Sequence, residues 1–186
     1  MPSVTEEELI LEKFFPPSYV VVDIETTGVS PTKNEIIELS AIKVVNNETT
    51  ETFSTLIKPK GRISSFITSL TGISNQMVSD KEPIENVIGN FFNFVGNSIV
   101  LGHNVRFDMS FIKINCKKIL GFDFTNPTID TLRISRLLLP EVKNHKLSTL
   151  AEHYGISSAG HHRGLFDCEM TYQLHQKLRQ ELNLSR

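Results

Sequence analysis

Four carboxylates stand where the surrounding sequence is apolar. Asp23 and Glu25 close the valine-rich run Tyr19 to Ile24; Asp108 follows Phe107 in Gly102-His103-Asn104-Val105-Arg106-Phe107-Asp108; Asp167 follows Phe166 in His162-Arg163-Gly164-Leu165-Phe166-Asp167. Strand side chains alternate between faces, so Asp23 and Glu25 share one face, where two like charges repel and are costly to desolvate. Asp108 precedes Phe111 and Ile112 by three and four residues, which sets it over an apolar helical face. Asp167 begins the series Met170, Thr171, Leu174 and Leu178, the stripe of a closing helix that should pack inward. Each acid alone has a plain alternative. Asp23 and Glu25 can lie in water beyond the strand's end, and Asp108 and Asp167 can be first-turn charges favoured by the helix dipole. Three separate elements that each present an acid beside apolar sequence point instead to convergence on cations.

Four negative charges match two divalent cations, and an all-oxygen donor set favours Mg2+ or Mn2+ over zinc or copper. Two such ions about 4 Å apart stabilise the attacking and leaving oxygens of an in-line phosphoryl displacement. A histidine near them can act as general base toward the attacking water. His162, five residues before Asp167 on the turn entering that helix, is the candidate, with His161 as its rival at this turn. His103, at a strand end, reads as a hydrogen-bonded structural residue, and His145, His153 and His175 read as surface residues. No His-Glu-x-x-His pair supports a zinc hydrolase.

The elements that must position these groups alternate along the chain. Thr5-Glu6-Glu7-Glu8 is a capping-box pattern that opens a short helix ended by Pro16-Pro17, so residues 1–17 read as a leader and 18–183 as a single domain. Tyr19 to Ile24 has the composition of a strand buried on both faces. Glu35 to Val45 and Thr49 to Ile57 read as a hairpin turning at Asn46-Asn47. Ile84 to Val95 has a helical apolar period, Ser98 to Leu101 is a short buried strand, and Phe107 to Leu120 is helical. Thr128 to Thr131 reads as a strand, Leu132 to Leu139 as a helix ended by Pro140, Leu147 to Tyr154 as a helix stopped by Gly155, and Leu165 to Leu182 as the closing helix. The pattern predicts an α/β fold, a mixed central β-sheet flanked by α-helices.

Composition agrees with that class. The chain has 186 residues, 39% hydrophobic and 22% charged, the range of an ordinary globular domain that needs no staple to fold. Its net charge of -2 excludes a strongly basic binder whose affinity comes from many phosphate contacts. It does not exclude nucleic acid as a substrate, because two bound divalent ions would raise that charge to about +2. Cys116 and Cys168 lie far apart, which argues against a disulfide scaffold and fits a reducing cytoplasm. No apolar run approaches the roughly 18 residues of a membrane span.

Asp23-Ile24-Glu25-Thr26-Thr27-Gly28, His103-Asn104-x-x-Phe107-Asp108 and His162-x-x-x-x-Asp167 resemble, in this order, the three motifs of the DEDDh (DnaQ-like) 3′-to-5′ exonuclease family. Leu70-Thr71-Gly72-Ile73 and Asn126-Pro127-Thr128-Ile129-Asp130-Thr131 are similar to further segments of the PolC-type and epsilon-type proofreading exonucleases of bacterial DNA polymerase III. The resemblance implies an RNase H-like fold and hydrolysis of single-stranded DNA from its 3′ end to nucleoside 5′-monophosphates. It implies that Asp23, Glu25 and Asp167 bind the catalytic metal, that Glu25 is shared between metals, and that Asp108 serves the second metal or its waters. His162 is the implied base. Thr26, Thr27, Gly28, Thr71, Asn104 and Phe107 are the implied substrate-binding residues, with Gly28 permitting close backbone approach. Two positions depart from the family pattern. Thr71 stands where the epsilon type carries histidine, and Gly164 stands where alanine is common, a change expected to loosen the turn carrying His162.

Arg106, Arg133, Arg136, Lys143, Lys146 and Arg163 are available as a basic rim around such a site. A DNA polymerase III catalytic subunit is the implied partner. Two other readings compete: an RNA-trimming exoribonuclease with the same site, and a non-catalytic module of a replication assembly.

Overall fold

The computed structural model describes residues 13–157 and 163–184; the Thr5–Glu8 capping box and His161–His162 lie outside them. The elements run β1 (Tyr19–Thr26), β2 (Ile36–Val45), β3 (Glu48–Leu56), α1 (Ser65–Thr71), α2 (Asn75–Val78), α3 (Ile84–Val95), β4 (Val100–Gly102), α4 (Val105–Leu120), β5 (Thr128–Asp130), α5 (Thr131–Leu138), α6 (Leu147–His153) and α7 (Gly164–Leu184). The strands form one sheet in the order β3-β2-β1-β4-β5. β1 is antiparallel to β2 and parallel to β4, so the sheet is mixed.

β1 is central because its sequence tolerates burial on both sides: Tyr19 through Val22 are all buried. The β2–β3 hairpin turns where expected. Asn46 and Asn47 have φ of 53° and 66°, the left-handed pair that a two-residue hairpin turn requires and that asparagine accepts. On one face of the sheet Val20, Val22, Leu39 and Ala41 pack against α3 and α4 through Ile88, Phe91, Met109 and Ile112. On the other, Tyr19, Val21, Ile42 and Val44 meet Cys168, Met170, Leu174 and Leu178 of α7, with α5 and α6 completing the layer.

Two short helices, α1 and α2, go unrecognised in the sequence. They have seven and four residues, too few for a helical period, and are set by caps. The Ser64 and Ser74 hydroxyls accept from Ile67 and Met77 amides, and Gly72 ends α1 at φ 71°. They cover Ile37 with Ile63, Ile67, Ile73 and Val78. His175, expected at the surface, is 1% exposed. It shares the inward stripe of α7 with Thr171, Leu174 and Leu178, and its polarity hid that placement. Among the described residues no helix is long and apolar enough to cross a membrane.

Candidate active site

The register of β1 against β2 builds one side of the site. Asp23 lies opposite Ser40 and Glu25 opposite Glu38, so all four side chains share the sheet face that α7 covers. The register slips between Glu25 and Thr26, a bulge of the kind that re-aims side chains next to active sites. α7 runs antiparallel to β1 and brings Asp167, in its first turn, to the acids. Asp23, Glu25 and Asp167 each offer a carboxylate oxygen, and these oxygens lie within 4.8 Å of one another.

Asp108 arrives from the opposite face. β4 pairs with β1 only as far as Val21↔Leu101, which leaves the later β1 edge open on that side. The Ile24 amide there donates to Asp108 Oδ1 at 3.2 Å, so the start of α4 hooks over the strand's end beside Asp23. The acid expected to serve a second metal is thus adjacent to the trio and outside its tightest grouping.

The electrostatics are unfavourable as they stand. Burial, then the neighbouring charges of Asp108, Asp167, Glu25 and Glu38, hold the Asp23 carboxyl well above the usual carboxylate range. Burial followed by Asp167, Glu38 and Asp108 pushes Glu25 up to about 8, and burial pushes Asp108 up to about 8. Asp23 Oδ2 is buried and makes no hydrogen bond among the described residues. A buried anionic oxygen without a donor is costly, and a bound cation is what removes that cost. The donor set fits a hard divalent ion, because it is all oxygen and converges from two elements on one place.

Glu38 is the site residue that sequence reasoning missed. It is 1% exposed and accepts the Gly164 amide proton at Oε2 (3.0 Å), while the Arg163 guanidinium reaches Oε1 at 3.3 Å. Its signal was a lone charge inside Ile36-Ile37-Glu38-Leu39, legible only once pairing places it across from Glu25. The turn that Gly164 was expected to loosen lies outside the described residues, but the room beside Gly164 itself is occupied. A Cβ there would come within 2.7 Å of Ser40 Oγ and 3.4 Å of Asp23 Oδ2, so the bare glycine lets α7 start directly against β2.

The expected substrate-binding residues fare unevenly. Thr26 and Thr27 follow the acids on β1, but their hydroxyls are engaged internally, Thr26 donating to Gly28 O and Thr27 accepting from the Glu35 amide. The space beside Gly28 is filled by the Asn34 side chain, 2.7 Å from where a Cβ would stand, so its bare backbone first serves this turn. Thr71 is buried, donating to Ile67 O and accepting from the Ile73 amide. Asn104 is exposed in the left-handed region (φ 62°, ψ 39°), and its side chain makes no capping bond. Phe107 is half-buried, 5.2 Å from Phe111 between ring centroids. His103 is structural as expected, bonded to Thr131 Oγ1 and His145 O. Of the basic rim, Arg136 and Lys146 line a cavity of about 360 Å3 with His103 and Asn104, and Arg106 and Arg133 line another of about 710 Å3 between α4 and β5. Arg163 is committed to Glu38.

A mixed sheet of this order, layered by helices and carrying acids at the end of its central strand, is the RNase H-like fold of exonucleases. Exonuclease X in complex with 5′-overhanging duplex DNA shares it at a TM-score of 0.69 and 25% identity, over 87% of this chain and 90% of that one. E. coli exonuclease I in complex with a dA16 oligonucleotide shares the fold at a TM-score of 0.75 and 19% identity, over 89% of this chain and 42% of that one.

The exonuclease family model matches residues 20–175, and the chain belongs to that family of divalent-metal-dependent nucleases. Curated relatives include the PolC-type DNA polymerase III of Caldanaerobacter subterraneus subsp. tengcongensis, 44% identical over 98% of this chain, and that of Bacillus subtilis, 41% identical over 87%. The chain spans 13% and 11% of their respective lengths.

Proposed function

We propose that the protein hydrolyses single-stranded DNA from the 3′ end, releasing nucleoside 5′-monophosphates, and acts in the cytoplasm as a proofreading exonuclease with a PolC-type DNA polymerase III. The observation that carries this reading is the partly buried Asp23–Glu25–Asp167 cluster, with an Asp23 oxygen that has no hydrogen-bond partner among the described residues. Two divalent cations, Mg2+ or Mn2+, supply stabilisation of the attacking and leaving oxygens when bound. Asp23, Glu25 and Asp167 would hold them, Glu25 would serve both ions, and Asp108, beside this trio, would serve the second. His162, two residues before α7, takes the proton of the attacking water. Asn104 and Phe107 face the terminal nucleotide, where ring stacking contributes about 1 to 3 kcal/mol per base. Thr26, Thr27, Gly28 and Thr71 shape this pocket through their backbone, since their hydroxyls or open space are taken up internally. A near-neutral protein suffices, because the cations and the rim grip only the last few nucleotides.

The test is a matched set of DNA and RNA oligonucleotides, blocked at either end, incubated with Mg2+ or Mn2+. The reading expects mononucleotides from the unblocked 3′ end of DNA. Faster trimming of RNA would assign the chain to an exoribonuclease, and no release from any substrate would defeat the catalytic reading.

A further inference from the structure

Glu38 is an acid that the chemistry does not use and that the site would be less strained without. It stands across from Glu25 in the β1–β2 register, and its charge adds to the burden on both Glu25 and Asp23. Its own hydrogen bonds go to the start of α7. Both carboxylate oxygens are committed to the junction of Arg163 and Gly164, 125 and 126 residues along the chain.

That junction is where α7 begins. The carbonyl of Arg163 accepts the amides of Phe166 and Asp167 at 2.8 and 3.1 Å, so the first turn that carries Asp167 hangs from this residue. The Gly164 amide is one of the donors that a helix start leaves without an intrahelical partner, and Glu38 supplies the missing acceptor. One buried carboxylate on β2 therefore fastens the start of the helix that carries Asp167. Gly164 makes the contact close, with Ser40 and Asp23 oxygens occupying the room of its absent side chain.

We propose that Glu38 is a positioning residue: by holding the Arg163–Gly164 junction to β2 it sets Asp167 against Asp23 and Glu25. This rests on the exonuclease reading above. A bond that only caps α7 would change stability and leave turnover alone. Misplacing a reacting group by about 1 Å costs about 100-fold in rate.

Glu38→Gln and Glu38→Asp separate geometry from charge. Glutamine keeps an oxygen at the Gly164 amide and loses the charge; aspartate keeps the charge and withdraws it by one methylene. On a single-stranded DNA with Mg2+, Glu38→Asp is expected to lower kcat about 10- to 100-fold with KM within about twofold of wild type. Hydrogen exchange of the Gly164 amide should accelerate in the same variant. Glu38→Gln should retain kcat within about fivefold and keep that amide protected, the hydrogen bond being what matters. The reverse order, with aspartate active and glutamine slow, would overturn the proposal. So would wild-type kcat in Glu38→Asp despite faster Gly164 exchange, which would reduce Glu38 to a cap. A wild type that releases no mononucleotide defeats the exonuclease reading itself, whereas an active wild type with an indifferent Glu38→Asp defeats only the positioning role.

Discussion

Helix α7 buries polar groups against both ends of β1, and the two ends are built on opposite terms. Midway along the helix, His175 meets Tyr19 at the start of the strand. Its Nδ1 pairs with the Tyr19 hydroxyl at 3.1 Å and its Nε2 with the Phe14 carbonyl at 2.8 Å, and the Phe15 ring stacks on it at 4.8 Å. Gln176 donates to the same tyrosine oxygen at 3.0 Å. At the amino end, Asp167 meets Asp23 and Glu25 at the strand's far end, with Glu38 and Asp108 beside them. Both regions are at least partly removed from water, but in one the imidazole nitrogens and the tyrosine oxygen have neutral partners, while in the other like charges crowd and one buried Asp23 oxygen has none among the described residues. The satisfied cluster adds a unique fit to the core, and the unsatisfied one has the form of a site awaiting a ligand.

If that contrast is right, isosteric changes at the two ends should act on different properties. The largest effect is expected from Asp167→Asn, which keeps the shape and removes one charge. Mononucleotide release should fall by about 10,000-fold, the several kcal/mol of charge stabilisation that a metal site supplies. Circular dichroism should show the fold intact. His162→Ala should slow release by about 100- to 10,000-fold while Mn2+ binding, followed calorimetrically, stays near wild type. Loss of metal affinity in step with the rate would make His162 a ligand.

The His175 end should answer to pH through stability. Burial pushes its imidazole down to about 4, so between that value and the ordinary 6.5 the unfolded chain binds more protons than the folded one. The contribution of neutral His175 is therefore complete above about pH 6.5 and is lost as pH falls toward 4, about 3 kcal/mol in all. Urea melts of wild type and His175→Phe across this window should converge in pH dependence if other groups, not His175, carry the slope. The smallest effect has the opposite sign. With divalent ions chelated at pH 8, Asp23→Asn should raise stability by about 1 to 2 kcal/mol by relieving repulsion at a buried charge, a gain in the range of common stabilising substitutions. A lower melting temperature would mean that Asp23 is held by partners rather than opposed by neighbours.

Local chemistry made much of this legible in the sequence. Ile84–Val95 has the helical period that the structure shows, and Asn46-Asn47 is a turn by residue type alone. The four acids stood out because charge beside apolar sequence is conspicuous. What escaped depended on pairing. Glu38 acquires meaning only from the register that sets it across from Glu25, and Gly164 only from the Ser40 oxygen that fills its place. His175 escaped for a different reason: its position on the apolar stripe of α7 outweighed its polarity. α1 and α2 rest on serine caps too brief to register as a period.

The central claim is that the strained acid cluster, loaded with divalent ions, is where phosphodiester bonds are cut. Its most direct test is the release of labelled mononucleotide from a 3′-labelled single-stranded DNA by wild type and by an Asp23→Ala, Glu25→Ala double variant, each with Mg2+ or Mn2+. The account predicts release by the wild type and none above background from the variant. Undiminished release from the double variant would contradict it.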